Sequence, residues 1–279
     1  MTLTPRISSG DVRRYRMASD VTTVIGVPGL ESKDRTIMRA DVVIRMGDGG
    51  AGKATVTITP TFFERAGRRA DPPAAQTSRV TFDTTGTIIK LQGVTTAKAK
   101  DAGANEALPL AGSAEDLGAM FGSTIRRGRV RIADRWRTAI GSVGERRSRV
   151  AALRWVGGRR CAIVESIATR PVERTREAGG TVLRLAGTET SVVTTAFDFT
   201  AGFPASIDAT ADGTFTVAGA PQQGTISIRS KTTMTLTGVR QETPSGQSPG
   251  PTPSPTTPTA TATATATLPD SPRPTRPSA

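Results

Sequence analysis

Histidine is absent from this sequence of 279 residues, and cysteine occurs once, at Cys161. Without histidine the chain cannot form a serine–histidine or cysteine–histidine nucleophile system, or a metal site that includes an imidazole ligand. A single cysteine excludes an intrachain disulfide and any site that needs several thiolates. Cys161 begins the apolar run Cys161–Val164, which favours a buried, inert thiol. We therefore predict no cofactor and no metal.

Long apolar runs are also missing, since no stretch approaches the roughly 18 residues needed to span a bilayer. Residues 243–279 contain no aromatic residue and hold 10 of the 19 prolines. Such a segment cannot bury enough apolar surface to offset the entropy of ordering it, so residues 241–279 are predicted to be a disordered, semi-stiff tail. Its composition matches the Ser/Thr/Pro stalks of secreted proteins, and repeat expansion in a GC-rich genome is the alternative.

The location of the protein follows from two observations that conflict. The tail favours an extracytoplasmic protein, in the cell envelope or secreted, whereas residues 1–10 show no hydrophobic region typical of a signal peptide. An export signal would then lie upstream of Met1. A cytoplasmic location is the open alternative.

Period-two alternation is the dominant pattern that is present. In residues 36–46 the even positions are mostly apolar and the odd positions include Arg39, Asp41 and Arg45. A glycine-rich turn over residues 47–52 is followed by a second alternating run, residues 54–62, with threonine at the odd positions. Two such runs around a turn predict a β-hairpin with one buried and one solvated face.

Further strands are predicted along the chain, including one over residues 129–140 and two over 203–209 and 213–218. Residues 204–214 carry the turn residues Pro204, Asp208, Asp212 and Gly213. Asp208–Gly213 lacks the remaining oxygen ligands of a calcium loop, so a β-turn is the preferred interpretation. Ser113 is a candidate N-cap of one short helix.

The fold class is therefore all-β with one short helix: a large curved antiparallel sheet or half-barrel, with internal duplication as one interpretation. The predicted domain is residues 1–240, with halves at about 1–97 and 129–240. The connector with the helix is 98–128.

Several motifs resemble those of a group of uncharacterised bacterial envelope proteins. They are the strand Val130-Arg-Ile-Ala-Asp-Arg-Trp136, with Ala133 where that group has glycine, the later Trp155, and the strand exit Phe197-Asp198…Gly202. In strand order such proteins are similar to lipoprotein carriers of the LolA and LppX kind. That resemblance implies a curved sheet that wraps a helix and holds a lipid or acyl chain, and it brings no catalytic motif.

The candidate ligand-binding residues are aromatic. Core packing is the default interpretation of Trp136 and Trp155, and lining of an apolar cavity is the alternative. The predicted ligand set is Trp136, Trp155, Phe197 and Phe199.

Charge is concentrated in residues 126–176, which hold 15 arginines and four acids, a net charge of +11. Arg129, Arg131, Arg135 and Arg137 alternate with apolar residues, which predicts a cationic strand face. That face would attract phosphates, acidic polysaccharide or anionic lipid, while a solvated sheet face is the alternative. No base-reading motif accompanies it, so specific nucleic-acid binding is not predicted.

The leading functional hypothesis is a non-enzymatic envelope protein that binds a lipophilic or amphipathic ligand or acts structurally. One alternative is a polyanion-binding module that uses the arginine-rich face. A second is a hydrolase using carboxylates such as Asp83, Asp134, Asp198 and Asp208, although turn and strand-end roles account for Asp83 and Asp198. The possible partners are a lipid, an anionic polymer or an anionic membrane surface, and the oligomeric state is open.

Overall fold

The computed structural model describes residues 1–6, 8–28, 31–47, 52–82, 88–94, 125–126, 128–140, 144–178, 181–218 and 223–241. These residues form strands joined by turns and short connections. The strands are β1 Thr2–Leu3, β2 Asp11–Gly26, β3 Ser32–Met46, β4 Lys53–Arg65, β5 Arg68–Ala70, β6 Gln76–Phe82, β7 Ile88–Val94, β8 Gly128–Arg129, β9 Arg135–Ile140, β10 Gly144–Val156, β11 Arg159–Ala178, β12 Thr181–Asp198, β13 Phe203–Ala218 and β14 Gly224–Gln241.

Nearly all of these strands belong to one antiparallel sheet, in the order β7-β6-β4-β3-β2-β14-β13-β12-β11-β10-β9, with β5 paired to β4. Most neighbours in this order are also neighbours in the chain, because a short turn brings consecutive strands side by side. The exceptions are the pairing of β4 with β6, which are separated in the chain by the short β5, and the pairing of β14 with β2, which joins the first and last long strands. β1 and β8 form a separate two-stranded ribbon.

The hairpin of β3 and β4 shows how the sequence produces a two-faced sheet. β3 alternates between buried side chains such as Met38, Val42 and Ile44 and exposed ones such as Arg39 and Asp41. The register pairs Val42 with Ile58 and Ile44 with Val56, so apolar residues of both strands share one face. We call this the core face, and the opposite one the solvent face. The predicted hairpin is confirmed.

The core face continues across the sheet through directly paired residues. Met17 on β2 is paired with Met234 on β14, and Met234 is in turn paired with Ile207 on β13. These side chains belong to one buried apolar cluster that extends from β6 to β12. Burial of each such side chain contributes about 1.5–3 kcal/mol, which makes this cluster the main source of stability.

The predicted all-β class and the large antiparallel sheet are confirmed, and the sheet is open rather than closed into a barrel. No helix is present in the described ranges, and the helix candidate at Ser113 lies outside them. The predicted tail, residues 241–279, also lies outside them apart from Gln241. The domain boundaries and the internal duplication stay predictions. No helix of the described residues is long and apolar enough to cross a membrane.

The β-turn predicted at Asp208–Gly213 is wrong, because β13 runs without interruption from Phe203 to Ala218 and joins the two strands predicted on either side of it. Asp208 and Asp212 lie within the strand, on the solvent face. Gly213 lies on the core face, where a Cβ atom would approach the ring of Phe215 to 2.6 Å. The glycine therefore makes room for an aromatic ring from its own strand and does not end the strand.

Candidate ligand face and arginine array

The structure places the four predicted aromatic residues on the core face, near the β9 edge of the sheet. Trp136 is paired with Ser148, Phe197 with Ala162, and Trp155 with Arg160. Phe199 follows β12, and its ring lies 5.8 Å from the guanidinium carbon of Arg160. Because paired residues share a face, the register places Trp136 and Phe197, 61 positions apart in the sequence, on the same face of the sheet.

Three of these aromatics pack into one apolar cluster. Phe197 is fully buried, and Trp136 and Phe199 pack against the cluster as partly buried residues. We call this group the aromatic cluster. Its buried members are Leu3, Ile125, Val130, Val150, Ala162, Val164 and Phe197. The ribbon of β1 and β8 contributes to it, since Val130 donates a hydrogen bond to the Met1 carbonyl at 2.8 Å.

The indole nitrogen of Trp136 is buried and has no hydrogen-bond partner in the described part of the protein. A buried N–H group without an acceptor costs about 1–3 kcal/mol. Such groups are uncommon, and each requires a specific explanation, such as a bound water molecule or a functional role. The aromatic cluster therefore offers both an apolar surface and one unused donor.

Core packing as the default interpretation is wrong for Trp155, whose side chain is 73% exposed. This residue lies at the end of β10, next to the Gly157-Gly158 turn and beyond the residues Gly144–Arg149 that pair with β9. Leu153, on the same face two residues earlier, is also exposed. The aromatic cluster therefore has an exposed apolar margin formed by Leu153 and Trp155.

The predicted continuous strand over residues 129–140 is wrong, so Arg129, Arg131, Arg135 and Arg137 do not share one strand face. Arg129 ends β8, Arg131 lies in a turn, and Arg135 begins β9. The interruption occurs at Ala133, which has a φ of 71°. The Asp134 carboxylate stabilises the turn by accepting a hydrogen bond from the Arg131 backbone N–H at 2.8 Å.

Two of the predicted arginines join two others that the sequence did not single out. Arg135 is paired across β9 and β10 with Arg149, and Arg137 with Arg147. All four side chains are exposed on the solvent face, and we call them the arginine array. They line a depression of about 520 Å³ together with residues that include Glu165 and Ile167.

Like charges directly opposite each other on paired strands destabilise a sheet. The array is partly neutralised, since Glu145 accepts from Arg147 at 2.6 Å and from Arg137 at 3.4 Å. Glu165 accepts from Arg149 at 2.7 Å. Arg135 forms no ion pair with any residue that the structure describes. The array therefore keeps a net positive charge that an anion could compensate.

A second depression, of about 1040 Å³, crosses the other end of the solvent face. Its lining includes the ion pairs Arg35–Asp20 and Arg229–Asp212, each with a distance of 2.6 Å. The hydrogen bond from Arg35 lowers the pKa of Asp20. These four charges already pair with one another, and threonine hydroxyls form much of the remaining lining, to which Lys33 adds one positive charge.

Buried charge occurs beside the core face, around Phe203. Arg13, with 2% exposure, lies 4.6 Å from the Phe203 ring centroid, and Arg159 lies 5.4 Å from it. Arg159 donates to the Asp198 carboxylate at 3.1 Å. Asp198 also accepts from the backbone N–H groups of Thr200 and Ala201, both at 2.9 Å. These contacts give Asp198 the structural strand-end role predicted for it.

No group of three or more His, Cys, Asp or Glu side chains that could hold a metal ion occurs in the described ranges. Of the other carboxylate candidates, Asp134 caps the turn before β9 and Asp208 is exposed on β13. Asp83 lies outside the described residues. Among the described residues, Asp134, Asp198 and Asp208 therefore lie on different elements, and none of the three forms a hydrogen bond with another.

Comparison with known proteins identifies no family. No protein-family model matches the chain, and no curated protein does. Among solved structures, the chain is similar to one of lipovitellin, a study of lipid–protein interactions, with 12% sequence identity, 87% of this chain covered and a TM-score of 0.47. The chain spans 26% of that lipovitellin chain. The resemblance to lipoprotein carriers stays a prediction.

Proposed function

We propose that this chain is a non-enzymatic, envelope-associated protein that binds a lipophilic or amphipathic molecule on its core face, beside the aromatic cluster. The observation that carries the proposal is the buried indole N–H of Trp136, which has no acceptor in the described part of the chain. An amphipathic molecule with a carboxyl or ester oxygen would supply that acceptor while its apolar part contacts Phe199 and the exposed margin.

The apolar surroundings favour a hydrocarbon chain over a polar ligand. Leu153 and Trp155 extend the aromatic cluster toward solvent, and Arg160, which is paired with Trp155, adds one positive charge at its margin. Each methylene that leaves water for such a surface contributes about 0.8 kcal/mol. A short acyl segment therefore supplies substantial binding energy, and one hydrogen bond fixes its polar end.

Binding of a fluorescent fatty acid tests this proposal. The full chain should bind cis-parinaric acid, with an increase in the emission of the probe. Trp136→Phe keeps an aromatic ring but removes the N–H donor, so it should weaken binding about fivefold, the value of one neutral hydrogen bond. Val192→Ala, which changes an exposed residue on the solvent face, is the matched control. Equal affinities of the two variants, or no binding by the unmodified chain, would overturn the proposal.

The envelope location belongs to the same proposal and is supported by the stalk-like composition of residues 243–279. Fractionation of cells that express the natural gene tests it. The protein should be recovered from the envelope or the medium. Recovery in the cytosol alone would remove this part of the proposal and leave ligand binding to be judged by the fatty-acid measurement.

A second candidate function, polyanion binding, is favoured by the arginine array. Heparin should retain the chain in a salt-dependent manner, because bound counterions are released when phosphates or sulfates are neutralised. Arg135→Gln with Arg147→Gln should lower the salt concentration of elution. Arg229→Gln with Arg35→Gln is the control, because it removes the same amount of positive charge from the second depression, where both arginines are already in ion pairs. Equal shifts for the two double variants would show a non-local charge effect and contradict this function.

A further inference from the structure

Exposed apolar side chains occur along the second half of β10 and beside it, toward the end of the sheet that carries the β10–β11 turn. Trp155 is 73% exposed, Ile132 is 55% exposed, and Leu153 is also exposed. Exposed apolar residues also occur elsewhere in the described strands, at Val24, Ile167, Val192 and Val239, but Trp155 is the most exposed of them all. Isolated exposed apolar residues need no explanation, whereas a group at one projecting end indicates an interaction surface.

Two local structures project these residues. The tip of the β10–β11 hairpin is the pair Gly157-Gly158, both with positive φ, and no atom lies within 4 Å of a Cβ placed at either position. The turn that contains Ile132 is fixed to β10, because Ala133 donates to the Val150 carbonyl at 2.8 Å and Val150 donates to that of Asp134 at 3.0 Å. The turn and the hairpin tip therefore lie at the two ends of the second half of β10, Val150–Val156, which does not pair with β9.

Basic residues surround this end. The exposed arginines within it are Arg126, Arg129, Arg131, Arg154 and Arg160. None of the five forms an ion pair with a residue that the structure describes. The two nearby carboxylates are engaged otherwise, Asp134 with its own turn and Asp198 with Arg159. The end of the sheet therefore combines unused positive charge with projecting apolar side chains.

We infer that this end of the sheet docks onto the surface of an anionic lipid bilayer, with Trp155 in the interfacial region. Tryptophan favours the boundary between hydrocarbon and water, where its ring and its N–H group are both satisfied. Arginines at the same depth are attracted to anionic headgroups. A soluble polyanion would use the arginines but would leave Ile132, Leu153 and Trp155 in water, so the bilayer is the occupant that accounts for both features.

This surface goes beyond the proposed function and does not depend on it, because docking requires the projecting side chains and not an acyl chain inside the protein. The two can be separated experimentally. Cis-parinaric acid in solution reports the ligand face, whereas phospholipid vesicles report the docking surface. A chain that binds vesicles but not the fatty acid would retain this inference and lose the proposed function.

The intrinsic fluorescence of Trp155 tests the inference directly. The chain has two tryptophans, so Trp136→Phe leaves Trp155 as the only one. With vesicles that contain phosphatidylglycerol, its emission should shift to shorter wavelength and be quenched by brominated acyl chains. Vesicles of phosphatidylcholine alone should produce a much smaller shift. An emission maximum that phosphatidylglycerol vesicles leave unchanged would overturn the inference.

Co-sedimentation of the full chain with the same vesicles separates the contribution of the arginines to binding from that of the apolar side chains. Arg131→Gln with Arg154→Gln should weaken binding about 30-fold, given the usual attraction of two basic residues to an anionic surface. Leu153→Ser with Trp155→Ser should also weaken it. The controls are Arg35→Gln with Arg229→Gln for charge and Val192→Ser for an exposed apolar residue. Strong retention on heparin without any binding to vesicles would identify a soluble polyanion as the partner and overturn the inference that the protein docks onto a bilayer.

Discussion

Tyr15 provides the sharpest test of the packing, because its hydroxyl group is fully enclosed. Its side chain is 1% exposed, and its hydroxyl donates a hydrogen bond to the Pro204 carbonyl at 3.0 Å. Burial raises the pKa of Tyr15 from 10.0 to about 12, despite the opposing positive charges of Arg13 and Arg159. The folded protein therefore holds a neutral phenol at a pH where the unfolded chain ionises.

The sign and size of the effect follow from this shift. Between pH 10 and pH 12 the unfolded state releases the proton of Tyr15 and the folded state does not, so the free energy of unfolding falls as the pH rises through this window. A difference of two pKa units corresponds to about 3 kcal/mol. Below pH 10 the phenol is neutral in both states, and this contribution to stability is fully retained.

Urea unfolding followed by circular dichroism at several pH values measures the loss. In Tyr15→Phe, the part of the decrease in the free energy of unfolding between pH 10 and pH 12 that Tyr15 causes should be absent. The difference between the two proteins isolates this part, because all other groups titrate in both. The chain has one tyrosine, so tyrosinate absorbance reports Tyr15 alone. If the tyrosinate absorbance titrates with a midpoint near pH 10 while the protein keeps its native circular dichroism, the hydroxyl is not enclosed and the reasoning is refuted.

Three further predictions concern single positions. Gly187→Ala should destabilise the protein by about 3 kcal/mol in urea unfolding, because the added Cβ would lie 2.0 Å from the Thr214 carbonyl oxygen. The control is Gly238→Ala, which should change stability by less than about 1 kcal/mol because no atom lies within 4 Å of its Cβ. Equal losses of stability in the two variants would contradict the close approach at Gly187. Phe197→Ala should cost about 3–5 kcal/mol in the same assay, because the ring is fully buried in the aromatic cluster, and a loss below about 1 kcal/mol would contradict its packing. Burial raises the pKa of the Cys161 thiol to about 11, so iodoacetamide should alkylate it only after unfolding, and rapid labelling of the native protein at neutral pH would show that the thiol is accessible.

The sequence predicted the fold where local patterns decide the structure. Alternation in residues 36–46 and 54–62 identified both strands of a hairpin, because side chains in a strand point to opposite faces in turn. The same reasoning failed at Asp208–Gly213, since a glycine that ends a strand and a glycine that makes room for an aromatic ring look the same in one dimension.

The arginines also show that local patterns alone do not determine which side chains come together. Alternation placed Arg135 and Arg137 correctly on one face, but Ala133 adopts a positive φ that few residues other than glycine, asparagine and aspartate favour. This conformation separates Arg129 and Arg131 from the strand. Arg147 and Arg149 could be recognised as their partners only from the register of β9 and β10, which depends on how the chain turns between them.

The sequence alone thus determined an all-β class, the absence of disulfide and histidine chemistry, and the two-faced character of the strands, because composition and period-two alternation are local properties. The tertiary structure decided that β14 pairs with β2, that Trp155 is exposed and that four arginines form one array. Each of these depends on contacts between residues that are distant in the chain, or on where a sheet ends. The free energy of such contacts comes from the assembled packing, and no local pattern encodes it.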